Sequence, residues 1–182
     1  NNKIIFRSGS TLEVGINPAL PAGPRQVGFL RFTAGAVEIE PDAKLLPLVY
    51  ESGILQKGQS LSGNFMIPNE AGVSPNLSDA EAPFFKQIPF SQTLTCTLSA
   101  SGETRTITIT RARTAEEALK DRVNASTLRF LKELSPFYGD TNPENKEKRA
   151  ILDNLDIIPD ITAMAAAAAQ AAQAHSTLTD KE

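Results

Sequence analysis

From Gln92 to Arg111 the chain alternates between apolar and polar positions. Leu94, Cys96 and Leu98 interleave with Thr93, Thr95 and Thr97. After a turn at 99–103, Ile107 and Ile109 interleave with Thr104, Thr106, Thr108 and Thr110. A period of two sends alternate residues to opposite faces of a strand. The stretch therefore predicts an antiparallel hairpin with a buried apolar face and a face of seven threonines toward solvent. Shorter runs of the same kind precede it. Residues 3–7 and 11–16 flank Ser8-Gly9-Ser10, which predicts a first hairpin, and 26–33, 35–40, 45–50 and 60–67 read as further strands. Pro47 lacks the amide that a central strand needs, so 45–50 is expected at an edge or a bulge. Pro18, Pro21 and Pro24 make 17–24 a stiff extended loop. Residues 68–87 form the longest irregular stretch, a length that in a compact domain points to a binding role.

The period changes after Arg111. Thr114-Ala115-Glu116-Glu117 is a capping box, predicting a helix from Ala115 to about Leu134 with Leu119, Val123, Phe130, Leu131 and Leu134 near one stripe. Pro136 ends it. Asn142-Pro143 starts a second helix, expected to reach about Asp156 and to bury Ala150, Ile151 and Leu155. Residues 163–174 are nearly all alanine and glutamine. Alanine favours helix but buries little area, so this segment is expected either to fray or to dock on a neighbouring chain as an arm. The fold class expected is α+β: an N-terminal antiparallel β-sandwich-like domain over 1–112, two helices over 113–159, and an Ala-rich arm with a mobile end over 160–182.

Composition agrees with this division. Residues 1–112 hold 9 of 12 prolines and 10 of 11 glycines and are electrically neutral, so the net charge of −3 comes from the C-terminal part. No basic surplus argues for a nucleic-acid partner. No run approaches the ~20 apolar residues of a membrane span, and no charged segment followed by an apolar one suggests a leader. The single cysteine, Cys96, excludes an intrachain disulfide and a multi-cysteine zinc site, and it fits a reducing compartment.

Candidate chemistry is sparse. The one histidine, His175, sits at the end of the Ala-rich segment, where the expectation is a solvent-exposed tail side chain rather than a catalytic base. No nucleophile elbow or phosphate-cradling glycine loop is present. Glu38, Glu40 and Asp42 lack the spacing of a calcium loop and read as a solvated face. Nothing selects a glycosidase pair from 21 acidic residues. The acceptor patterns at Asn76 and Asn124 are discounted, and Lys146, Lys148 and Arg149, interleaved with Glu144, Glu147 and Asp153, read as a mixed solvated helix face. A threonine-rich face could bind ice, but that needs a long regular array absent elsewhere, so β-propensity accounts for it.

The expectation is a non-catalytic structural protein with no cofactor and no metal. It would be a virion component, a phage or virus capsid-decorating (cement) or tail protein, assembled in a reducing cytoplasm. It would act by self-association or within a larger particle. Candidate partner contacts are Pro18, Pro21 and Pro24 in the first loop, Val73, Leu77, Phe84 and Phe85 in the second, and Met164, Gln170 and Gln173 in the Ala-rich segment. The alternative is a β-sandwich module that binds a ligand or a surface through loops 17–25 and 68–87. An enzyme is the remaining class.

Overall fold

The computed structural model describes residues 4–32, 37–68, 85–102 and 104–179. The class is α+β. Its strands are β1 (Ile4–Phe6), β2 (Thr11–Ile16), β3 (Leu30–Phe32), β4 (Val37–Ile39), β5 (Lys44–Val49), β6 (Ser60–Pro68), β7 (Lys86–Gln87), β8 (Leu94–Ser101) and β9 (Thr104–Arg111). Its helices are α1 (Ala115–Leu119), α2 (Ala125–Leu134), α3 (Lys146–Asp156) and α4 (Ile161–Thr179). The chain divides into two units. The first comprises 1–49, 61–89 and 96–109; the second comprises 50–60, 90–95 and 110–182.

The first unit differs from the expected antiparallel arrangement. β1 and β2 do not pair with each other: β1 pairs with β4, and β2 with β5, both in parallel. The turn between them does form, with Gly9 at positive φ and Ser10 N–H donating to the Arg7 carbonyl at 3.0 Å. It simply passes the chain from one sheet to another. β5 is central in the order β2-β5-β7 despite Pro47. The carbonyls of Ala43 and Leu45 accept from Lys86 and Ile88, so alternate residues of β5 face β7. Pro47 has the same parity, but β7 pairs only with Lys44 and Leu45. Among the described residues, the missing amide therefore lies where no partner strand asks for it.

The third sheet runs β3-β6-β9-β8, with β3 parallel to β6. β6 and β9 run antiparallel, since Ser60 meets Thr110, Ser62 meets Thr108 and Asn64 meets Thr106, side chain to side chain, at 2.6–2.8 Å. The threonine row of β9 thus forms a ladder of cross-strand hydrogen bonds. The unit's core includes Val14, Ile16, Leu45, Phe65, Met66, Phe85, Ile107 and Ile109.

The second unit is built on one helical core: Leu119, Phe130, Leu131, Leu134, Tyr138, Leu152, Leu155, Met164 and Ala168. The single helix expected from Ala115 to Leu134 is two. Asn124 accepts from Thr127 N–H at 2.8 Å and so caps α2, breaking the helix after Leu119. The capping box at Thr114 and Glu117 is present as expected. In α3, Leu152 and Leu155 are buried, while Ala150 and Ile151 are only partly so. The Ala-rich segment neither frays nor leaves its own chain over its described length. α4 lays Met164 and Ala168 into the core, with Ala165, Ala167, Ala171 and Ala172 packed around them. Small side chains are what let a helix approach Phe130 and Leu119 this closely.

Candidate functional site

The densest polar chemistry in the second unit lies where β9 ends. Continuing the alternation of Ile107 and Ile109, Arg111 falls on the inward face, and its side chain is 0% exposed. Asp156, the last residue of α3, is equally buried and faces it. Arg111 Nη1 donates to Asp156 Oδ1 at 2.9 Å and Nη2 to Oδ2 at 2.5 Å, the bidentate fork of a guanidinium on a carboxylate. The remaining guanidinium hydrogens go to carbonyls: Nε to Leu55 at 2.5 Å, Nη2 to Ser52 at 3.1 Å and Nη1 to Arg113 at 3.4 Å. All five donors are used. Asp156 is as fully engaged, since Ser52 Oγ donates to Oδ2 and Thr93 Oγ1 to Oδ1, each at 2.5 Å. The Tyr138 ring covers the guanidinium, its centroid 4.3 Å from Cζ. The Tyr138 hydroxyl in turn accepts the first helical amide of α1, Ala115 N–H, at 2.9 Å.

Around this pair, α3 grips the turn at 51–54 through one stripe. Residues four and three apart on a helix share a face. Arg149 reaches Glu51 at 3.0 Å, Asp153 accepts Gly53 N–H at 2.6 Å, and Asp156 takes the Ser52 hydroxyl. Glu51 is left-handed at φ 48°, a conformation that costs a non-glycine residue about 1–2 kcal/mol. The grip offsets that strain. Gly53 has no room for a side chain, as a Cβ would stand 2.6 Å from Asp153 Oδ1 and 2.9 Å from Arg149 Cγ.

The electrostatics follow burial. Burial pushes the Asp153 carboxyl above its ordinary value, with the Gly53 amide and Arg149 opposing. Burial, followed by the charge of Asp156, pushes the Tyr138 phenol up to about 12. The half-buried Cys96 thiol is pushed up to about 11 by burial. At the surface, the Lys57 ammonium, 2.5 Å from Glu117, holds that carboxyl below its ordinary value. A carboxylate with four inward donors and a guanidinium with five inward acceptors can fix chain segments together, but neither offers a reacting molecule an open valence.

The residues singled out from sequence are scattered. Pro18 is half-buried, its carbonyl accepting from Gln26, and Pro21 and Pro24 are exposed. Val73, Leu77 and Phe84 lie outside the described residues. Phe85 belongs to the core, edge-on to Phe6 at 5.3 Å. Met164 is fully buried among the helices, while Gln170 and Gln173 are exposed on α4. His175 is exposed, as expected, but it lies within α4 and rests against the Phe130 ring at 5.4 Å rather than on a free tail. Glu40 accepts Ser8 N–H at 2.7 Å, and Asp42 pairs with Lys86 at 2.5 Å. Among the described residues, no group of three His, Cys, Asp or Glu is placed to hold a metal ion, and no helix is long and apolar enough to cross a membrane.

Sequence reasoning missed Arg111, Asp156, Ser52 and Thr93. Thr93 was expected on the outward threonine face and is instead buried. Arg149, expected on a solvated face, is buried as well. For Arg111 the signal existed, because it shares the parity of Ile107 and Ile109. The chain matches no known protein family, no curated protein and no solved structure.

Proposed function

We propose that the chain is a non-catalytic structural protein that works through protein–protein contacts within a larger particle, of the capsid-decorating or tail kind found in phage and virus virions. The observation that carries this reading is how the buried charges are used. Arg111 and Asp156 spend every hydrogen-bonding group on holding together β9, the 51–54 turn, the start of β8 and the end of α3. Such a centre favours one rigid shape over reactivity. Ile4, Ile5 and Leu20 on the first unit, each about two-fifths exposed, are the apolar side chains offered as contacts. A sandwich-like stacking of the sheets in that unit is part of the same proposal.

The test is light scattering coupled to size exclusion across the micromolar range, with Ile5→Asp and Leu20→Asp beside the parent chain. The expected result is a mass above the monomer that returns to the monomer in the substituted chains, with helical ellipticity unchanged. A strictly monomeric parent overturns the self-assembling reading, and turnover against a hydrolase panel overturns the non-catalytic one. The second reading, a ligand- or surface-binding module, is favoured by a groove beside the 17–26 loop.

A further inference from the structure

We propose that this groove, on the first unit, binds a neutral saccharide. It has a volume of about 300 Å³ and is lined by Gly23, Pro24, Gln26 and Val27 of the turn, by Phe29, and by Ser62, Gly63, Asn64 and Ile67 of β6. Its size lies at the lower end for ligand sites, enough for one or two sugar rings. Gly63 gives the groove its shape, because a Cβ there would fall 2.4 Å from a methyl of Val27. The turn can therefore lie directly on the backbone of β6.

Three features select the ligand. Phe29 is 47% exposed, an unusual amount for a phenylalanine, and is part of the groove lining. An aromatic face is the natural seat for the C–H face of a pyranose. The second feature is a pair of planar amides held in fixed orientation. Gln26 Nε2 donates to the carbonyls of Leu20 at 2.9 Å and Pro18 at 3.5 Å, leaving Oε1 to accept. Asn64 Oδ1 accepts from Thr106 Oγ1 at 2.8 Å, leaving Nδ2 to donate. Neighbouring sugar hydroxyls, each both donor and acceptor, satisfy such a pair together, with the Ser62 hydroxyl within the same lining. The third feature is charge: no lining residue is ionisable, and Arg31 lies against the Phe29 ring with Cζ 5.6 Å from its centroid. The lining itself supplies no counter-charge for a phosphate or carboxylate, and Arg31, outside the lining, is engaged with the Phe29 ring, so the chemistry fits a neutral polyol.

The inference goes beyond the assembly reading and fails separately from it, since light scattering does not report on this groove. The test is nuclear magnetic resonance on the ¹⁵N-labelled full chain. Methyl β-D-glucopyranoside and methyl β-D-galactopyranoside are titrated to millimolar concentration, with a proline-rich peptide in parallel. The expected result is movement of the Gln26 and Asn64 side-chain amides and the Phe29 backbone amide with at least one glycoside. Phe29→Ala should weaken that binding about tenfold or more, equivalent to losing 1.4 kcal/mol, and Phe29→Tyr should keep it. Silence from both glycosides, equal shifts in Phe29→Ala, or movement of these signals by the peptide alone overturns the proposal.

Discussion

Replacing Asp156 by Asn keeps the shape of the side chain and removes its charge from a site where both partners are 0% exposed. The amide presents one acceptor oxygen where the carboxylate presented two. Of the four hydrogen bonds from Arg111 Nη1, Arg111 Nη2, Ser52 and Thr93, the half that lands on the new NH₂ group is lost. The guanidinium is then buried without a counter-charge, which costs about 3–5 kcal/mol. That is a large part of the ~5–15 kcal/mol by which folded domains are stable. With a urea slope of about 2 kcal/mol per molar, the midpoint should fall by roughly 2 M. Helical ellipticity is the right probe, since all four described helices belong to the second unit. Arg111→Met combined with Asp156→Leu should recover only part of the loss: no unpaired charge remains, but the carbonyls of Ser52 and Leu55 and the hydroxyls of Ser52 and Thr93 lose their partners on the pair. A fall of less than about 1 kcal/mol in Asp156→Asn, in the range of ordinary surface changes, would refute the claim that the pair locks the unit.

Gly53→Ala should cost about 1–3 kcal/mol by chemical denaturation, because the new methyl meets Asp153 Oδ1 and Arg149 Cγ inside van der Waals distance. Met164→Ala should cost roughly 2–5 kcal/mol in the same assay, the signature of a fully buried side chain rather than of a free arm. Tyr138 predicts an alkaline transition. The unfolded chain releases the phenolic proton near 10 and the folded chain near 12, so the folded state binds more protons between those values. Stability from this group is complete below pH 10 and is lost as pH rises to 12, by roughly 2–3 kcal/mol. Denaturation midpoints against pH should show that slope, and Tyr138→Phe should remove it.

The parts of the fold legible in sequence were those set by local chemistry. Alternation located β8 and β9, the Thr114 and Glu117 pair located the start of α1, and Asn142-Pro143 located the turn that leads into α3. Strand partners were not legible, because alternation says which face of a strand is buried and nothing about its neighbour. A Ser-Gly-Ser turn serves a hairpin or a passage between sheets equally well. The Ala-rich helix was misjudged on side-chain area alone. Its contribution is closeness, with Met164 supplying bulk and the alanines admitting the rings of neighbouring helices. The polar centre was half legible. The inward parity of Arg111 could be read from β9, but its partner stands 45 residues later at a helix end, where an Asp ordinarily looks solvated.

The Ser52 hydroxyl and its acceptor on Asp156 are separated by 104 positions. A ribosome therefore releases the 51–54 turn long before it makes the residue that holds it. Until α3 emerges, Glu51 has no Arg149 to fix its left-handed backbone and Arg111 has no counter-charge. The second unit can close only after α3 has been made, so the loop-closure entropy of the 51–54 turn is met late relative to its own synthesis. A chain cut short before Asp156 should be recognisable to a protease as unfinished, whatever the state of its strands.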